Sequence, residues 1–253
     1  MGADPFADTS FRTFALDAAL RQSALAIVDE YFEGDARDWC GLPDEQFRAR
    51  VSQAQDRIND GGFVRDFCRS HASSLAEVID EPIAAQTNCY LRVTRPKPGT
   101  QEEIGFHRET FYGPAMMQYS YNVWIPVKNV VEENSLSYVP MSHLIPEEDI
   151  RTESVSESES GVRRYSDGHR IGLLYSPKRI VGGVALDQAR RMHVPDGQFA
   201  VFPGNLIHGN AVNRTDRIRF SIDFRFIATS RVTDNKSHFS SGRPYFEPVQ
   251  AGD

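Results

Sequence analysis

Residues 217–226 read RIRFSIDFRF, and this alternation decides how the rest of the chain is read. On an extended segment Ile218, Phe220, Ile222, Phe224 and Phe226 share one face. Arg217, Arg219, Ser221, Asp223 and Arg225 share the other. The apolar row is one wall of a core. The polar row is either a solvated sheet face or the lining of a polar cavity. Arg219 and Ser221, two residues apart, have the donors to clamp a carboxylate, the guanidinium with two bonds and the hydroxyl with a third.

Outward from this strand the chain changes character once. The N-terminal third predicts helices. Phe14, Leu16, Ala19, Leu20, Ala24, Ile27, Val28 and Tyr31 keep helical spacing. A second helix is expected from Pro43 to Asp60, before Gly61-Gly62, and a third from Phe63 to Ile79. After Pro82, strands are expected over Ile83–Thr94, Met116–Val127, Leu136–Val139, Gly197–Phe202 and Arg217–Ala228. Helices followed by closely spaced strands predict a β-sandwich or barrel with helices packed outside it. We read residues 1–253 as a single domain: mainly helical support over 1–82, a β core over 83–230, and a loop insertion around 145–191. The acidic and serine-rich part of that insertion, PEEDIRTESVSESES, is either a solvated loop or a lid.

Composition narrows the function classes. The chain has 28 basic and 35 acidic residues among 253, a net charge of −7, which argues against a nucleic-acid partner. No apolar run approaches the ~20 residues of a membrane span, and MGADPFADTSF lacks the basic and apolar regions of a secretory signal. Cys40, Cys68 and Cys89 are too scattered for a disulfide framework or a structural zinc site. A cytoplasmic protein without a membrane partner is the expectation.

His107 and Glu109 form an H-x-E pair in GFHRETFY. On an extended chain both side chains reach one ion, although seven histidines and 35 acidic residues give about one such pair by chance. His208 ends FPGNLIHGN, after a turn at Pro203-Gly204. Two imidazoles and a carboxylate on one side of a metal suit non-haem Fe(II) oxygenases. A zinc hydrolase can use the same ligands.

Four landmarks in order, His107-x-Glu109, ENSLSYVPMSHL, FPGNLIHGN and Arg219-x-Ser221, resemble the phytanoyl-CoA dioxygenase-like family of Fe(II)/2-oxoglutarate oxygenases. The resemblance implies a double-stranded β-helix (jelly-roll, cupin-like) core, mainly β with flanking helices and an N-terminal helical layer. It implies Fe(II), 2-oxoglutarate and O2 as cofactor and cosubstrates. His107, Glu109 and His208 would be the catalytic metal ligands. Arg219, assisted by Ser221, would hold the far carboxylate of 2-oxoglutarate, with Trp124, Asn122 and Asn210 beside it. His143 is expected to be turn architecture, not a ligand. Glu109 stands where most of the family has Asp, and its presence argues against the family's halogenases. Met141 replaces the usual glycine of the P-G-S-H turn.

The implied activity is oxidation of a C–H bond, by hydroxylation or oxidative cyclisation. Arg108, Phe111, Tyr112 and Arg225 are candidate substrate contacts. The HRETFY phrase resembles members from aminoglycoside and oligosaccharide antibiotic pathways. It points to a polar, sugar-containing small molecule, a cationic aminosugar or an oligosaccharide. Two other readings use the same residues: an inactive barrel that binds a ligand, and a metal-dependent, cupin-like sugar isomerase or hydrolase.

Overall fold

Ten consecutive residues, Arg219–Ala228, form the most deeply placed strand of the molecule, and every one of them is buried. The computed structural model describes residues 4–34, 36–96, 105–156, 178–209, 212–233 and 244–249, together with 159, 168, 171 and 235. In chain order these form β1 (Arg12–Ala15), α1 (Ala18–Tyr31), α2 (Ala36–Cys40), α3 (Asp44–Asp60), α4 (Phe63–Ser70), α5 (Ala72–Ala76), β2 (Ile83–Gln86), β3 (Tyr90–Thr94) and β4 (Tyr121–Lys128). There follow β5 (Ser137–Tyr138), β6 (Arg151–Ser154), β7 (Lys178–Gly182), β8 (Arg190–Arg191), β9 (Gln198–Pro203), β10 (His208–Gly209), β11 (Arg219–Ala228) and β12 (Phe246–Pro248).

The larger sheet has the order β1-β9-β4-β11-β2-β12, with β3 also paired to β11; a smaller sheet has the order β10-β5-β8. The pairings are antiparallel. The result is the jelly-roll, cupin-like core expected, with helices on one side. Strand β11 lies at its centre, against β4 along one edge and against β3 and then β2 along the other.

Its two faces are both used. Phe220, Ile222, Phe224 and Phe226 join the main hydrophobic core with Phe32 of the α1 end, Phe47 and Val51 of α3, and Phe67 of α4. Phe220 meets Phe32 edge-on at 5.1 Å, and Phe224 meets Phe67 at 5.2 Å. Each such ring contributes roughly 1.5–3 kcal/mol by burial. The polar face is therefore interior, and the cavity reading of the alternation holds.

Several expected boundaries shift for local reasons. Phe14 belongs not to a helix but to β1, where it pairs with and stacks on Phe199. Helix α1 starts later, where the Asp17 carboxylate accepts from the amides of Ala19 and Leu20. The expected helix to Ile79 breaks at His71, whose ring spends both nitrogens on backbone: Nδ1 on the Phe67 carbonyl and Nε2 on the Asp17 amide. The strand expected over Ile83–Thr94 divides into β2 and β3. Residues Ala115–Tyr119 form a 3-10 turn after Pro114, so β4 begins only at Tyr121, and Gln118 is exposed there and does not share the face of Asn122. Of the insertion around 145–191, β6 and β7 form a hairpin. The basic stretch that the sequence places in this insertion, with Arg163, Arg164 and Arg170, lies outside the described residues. Among the described residues no helix is long and apolar enough to cross a membrane.

Candidate functional site

Two short segments, 105–109 and 204–209, lie side by side. His107 and His208 exchange both backbone hydrogen bonds, each at 2.9 Å, and the Glu109 amide donates to the Gly204 carbonyl at 2.8 Å. Gly204 lets the second segment pack against the turn at Met117–Ser120, whose Ser120 carbonyl accepts from the Gly204 amide at 2.7 Å. A methyl group on it would lie 2.7 Å from the Met117 carbonyl oxygen, closer than side chains tolerate. The turn before β6 braces both segments. Ser142 Oγ accepts from the Ile207 amide at 2.8 Å, and the Ser142 carbonyl accepts from Arg108 at 2.8 Å. Met141 takes the left-handed conformation (φ 57°) that the family's glycine adopts without cost. Its amide donates to Ser10 Oγ at 2.7 Å. His143 faces away from these segments, its Nε2 3.0 Å from the Phe6 carbonyl.

The side chains of His107, Glu109 and His208 converge. All three are buried, and one potential ligand atom from each lies within 4.8 Å of the others. His208 Nε2 is 3.6 Å from Glu109 Oε1. The Nδ1 of His107 is 2.8 Å from the Gly105 carbonyl, and that of His208 is 2.9 Å from the Leu206 carbonyl. A carbonyl only accepts, so each Nδ1 carries the proton and each Nε2 presents a lone pair. Burial and the neighbouring His208 push the His107 pKa down to about 3; burial also lowers that of His208. Two neutral imidazoles and a carboxylate thus aim acceptors at one point with no proton between them. That donor set fits a divalent cation, and the backbone contacts fix its tautomers.

Glu109 has a second partner. Arg225 Nε donates to Oε2 and Nη2 to Oε1, both at 3.0 Å. Arg225 Nη1 reaches Asp223 at 3.2 Å, and Asp223 is bound by Arg92 at 2.5 Å. Although burial works against ionising Glu109, the Arg225 guanidinium hydrogen-bonded to it holds its carboxyl below the ordinary value.

Arg219 differs. It is 3% exposed, donates to Thr94 Oγ1 at 2.8 Å and makes a long 3.4 Å contact with the Asn134 carbonyl. Among the described residues its Nε has no partner, and neither do Ser221 Oγ or Asn122 Nδ2. Among the described residues no carboxylate pairs with it. Burial and the charge of Arg92 pull its pKa down to about 10. A buried cation with spare donors beside an idle hydroxyl fits a carboxylate ligand. Arg219, His107, His208, Trp124, Leu136 and Phe202 line one cavity.

The other expected residues are placed as follows. Trp124 is buried in the cavity wall, two residues from Asn122 on β4. Asn210 lies outside the described residues. Arg108 is buried on the carbonyls of Ser142 and Ile145, and Phe111 packs with Val139, Ile150, Ile180 and Ile207. Tyr112 meets the His107 ring edge-on at 5.0 Å. Arg225 faces Glu109. Sequence reasoning missed Thr94, Arg92 and Gln86. Thr94 is paired in register with Arg219, and Arg92 with Ser221, so a strand alignment was the signal needed.

The profile of the phytanoyl-CoA dioxygenase (PhyH) family matches residues 11–221. No curated protein matches the chain. Among solved structures, EvdO2 from Micromonospora carbonacea var. aurantiaca, complexed with 2-oxoglutarate, is 15% identical with a TM-score of 0.57 over 90% of this chain and 91% of its own. ThoJ, a non-heme monooxygenase, is 18% identical, with a TM-score of 0.53 over 89% of this chain and 76% of its own. The epimerase SnoN, in complex with Fe3+, alpha ketoglutarate and nogalamycin RO, is 13% identical, with a TM-score of 0.52 over 96% and 94%. These identities speak to the fold; the family profile speaks to descent. Spanning the helical layer, the H-x-E segment and the distal histidine, it shows that the chain belongs to the phytanoyl-CoA dioxygenase family of Fe(II)- and 2-oxoglutarate-dependent dioxygenases.

Proposed function

We propose that His107, Glu109 and His208 hold Fe(II), and that Arg219 with Ser221 receives the far carboxylate of 2-oxoglutarate. Trp124 and Asn122 line the cosubstrate side, and Asn210, outside the described residues, is assigned there by the family resemblance alone. The observation that carries this reading is that the cavity holding His107 and His208, whose Nε2 lone pairs face Glu109, also holds the buried Arg219 guanidinium, which no carboxylate among the described residues pairs with. When bound, Fe(II) and 2-oxoglutarate supply the redox chemistry that activates O2. The protein's part is to hold the two imidazoles neutral, to keep Glu109 ionised through Arg225, and to exclude water with Trp124, Phe202 and Leu136.

The substrate on this reading is a polar, sugar-containing natural product, oxidised by hydroxylation or oxidative cyclisation. SnoN, which shares the fold, is bound to nogalamycin RO. Of the two charge types expected, a neutral oligosaccharide suits the cavity better than a cationic aminosugar. Arg48, Arg92, Arg219 and Arg225 line the cavity, with Asp223 beside them and Glu109 beneath Arg225. The enzyme acts in the cytoplasm, where the free thiols of Cys40, Cys68 and Cys89 persist.

The test is release of succinate from 2-oxoglutarate by the Fe(II)-loaded protein. It should require O2 and be lost in His107→Ala and Arg219→Ala. Full turnover in either variant would refute the assignment. Activity with Zn(II) under nitrogen would favour the isomerase or hydrolase reading, and failure of the Fe(II)-loaded protein to bind 2-oxoglutarate would favour the inactive barrel.

A further inference from the structure

We infer that Arg225 is a positioning residue that fixes Glu109 as a one-oxygen metal ligand. The inference rests on the metal site proposed above and concerns how its carboxylate is presented. A glutamate carboxylate has two oxygens and about four lone-pair directions. Unrestrained, it can bind a cation through one oxygen or both. A two-oxygen grip would consume one of the positions that the two-histidine, one-carboxylate arrangement leaves open for other ligands.

Arg225 restrains it. Its planar fork gives one hydrogen bond to each oxygen, at 3.0 Å, within a pair whose side chains are both 4% exposed. One lone pair on each oxygen is spent on the fork. Oε1 is the oxygen 3.6 Å from His208 Nε2, so it is the one presented to the imidazoles, while Oε2 is held by Arg225 Nε. The fork cannot swing to follow the carboxylate. Arg225 Nη1 is tied to Asp223 at 3.2 Å and to Gln86 Oε1 at 3.4 Å, and Gln86 Oε1 also accepts the Arg225 amide at 3.2 Å. Asp223 is in turn clamped by two nitrogens of Arg92. Arg225 and Asp223 sit on the central strand β11, and Arg92 and Gln86 reach them from the neighbouring strands β3 and β2.

Arg219 and Arg225, six residues apart on one face of that strand, therefore serve different carboxylates. Arg219 faces an incoming one and Arg225 the protein's own. Lysine cannot replace Arg225, because a single ammonium holds a carboxylate without fixing its plane.

The experiment uses the full chain loaded with Co(II). The wild type, Arg225→Met and Arg225→Lys are compared by calorimetric titration of Co(II), by titration of 2-oxoglutarate into the Co(II) protein, and by the visible Co(II) spectrum. Thermal melting serves as the folding control. Expected for both variants is a changed Co(II) spectrum and 2-oxoglutarate binding weakened by about tenfold or more, the size of effect that losing an outer contact to a metal ligand carries. A lysine variant matching wild type in spectrum and in 2-oxoglutarate affinity would overturn the inference, since charge alone would then suffice. Should both variants fail to fold, a structure of the wild-type Co(II) protein decides. Glu109 bound through one oxygen with Arg225 still hydrogen-bonded to it supports the inference; a two-oxygen grip, or Arg225 turned away, refutes it. A wild type that binds neither Co(II) nor 2-oxoglutarate removes the metal-site reading itself, and the inference with it.

Discussion

Replacing Arg219 by methionine should weaken cosubstrate binding and stabilise the empty fold at the same time. Burial and Arg92 lower the guanidinium pKa from 12.5 to about 10. At about 1.4 kcal/mol per unit, this is roughly 3 kcal/mol against the charged form. The sign follows: the folded chain holds this proton less firmly than the unfolded chain, so the cost is present below about pH 10 and fades as the pH rises toward 12.5. Losing the Thr94 hydrogen bond returns about 1 kcal/mol. The net gain of about 2 kcal/mol corresponds to a Tm rise of roughly 4–8 °C for a chain of this size. Against this, truncating one partner of a buried, hydrogen-bonded charge pair costs about 2–5 kcal/mol. That is roughly a 30- to 4,000-fold loss in 2-oxoglutarate affinity. Thermal unfolding of the metal-free protein and calorimetric titration of 2-oxoglutarate into the Ni(II)-loaded protein read the two effects separately. A Kd within about threefold of wild type would show that Arg219 does not hold the cosubstrate. A fall of several degrees in Tm would show that its charge is already compensated.

Burial lowers the pKa values of His71, His107 and His208 from 6.5. The unfolded chain therefore takes up these protons first, and stability of the metal-free protein should be full above about pH 6.5 and fall below it, by about 1.4 kcal/mol per pH unit for each histidine; urea titrations showing a flat profile from pH 7.5 to 5.5 would contradict this. Gly204→Ala should push the 204–209 segment, which carries His208, away from the Met117 carbonyl, lowering Tm and weakening Co(II) binding about tenfold, as melting and calorimetry would register. His143→Leu, by contrast, should leave Co(II) affinity within about threefold while costing about 1 kcal/mol through the lost bond to the Phe6 carbonyl; loss of metal there would make His143 a ligand after all.

The parts of the fold legible in the sequence were those written in one local period. The β11 alternation was legible because both of its faces are buried, one against α1, α3 and α4 and the other around the cavity. Boundaries set by distant partners were not. Phe14 satisfies a helical stripe, yet pairing with Phe199 draws it into a strand; His71 ends a helix because Asp17, far back in the chain, needs its ring nitrogen. The site divides the same way. His107, Glu109, His208 and Arg219 were legible as a family pattern. The pairing of Arg225 with Glu109 was not, because it depends on the register that sets β11 beside β4 and on the turn at Gly204 that brings up the H-x-E segment. Arg225 shares its face with Arg219, and nothing in the alternation separates their tasks.

The buried charges also imply how the two binding events are coupled. Arg92, Asp223, Arg225 and Glu109 form a chain of alternating sign in which each charge is compensated. With both imidazoles neutral, the excess positive charge resides on Arg219. A divalent cation placed against Glu109 adds to that excess, and a dianion placed against Arg219 removes it. Each ligand should therefore favour the other, and by the same factor, since coupling of this kind is reciprocal. The expected outcome is that saturating 2-oxoglutarate tightens Co(II) binding about tenfold or more, within the usual range of coupling energies. In Arg219→Met the factor should shrink toward one. Because the charges are buried, the coupling should also survive added salt. Equal Co(II) affinity with and without 2-oxoglutarate in the wild type would mean that the two ligands do not share a field. Arg219 and Glu109 would then not belong to one site.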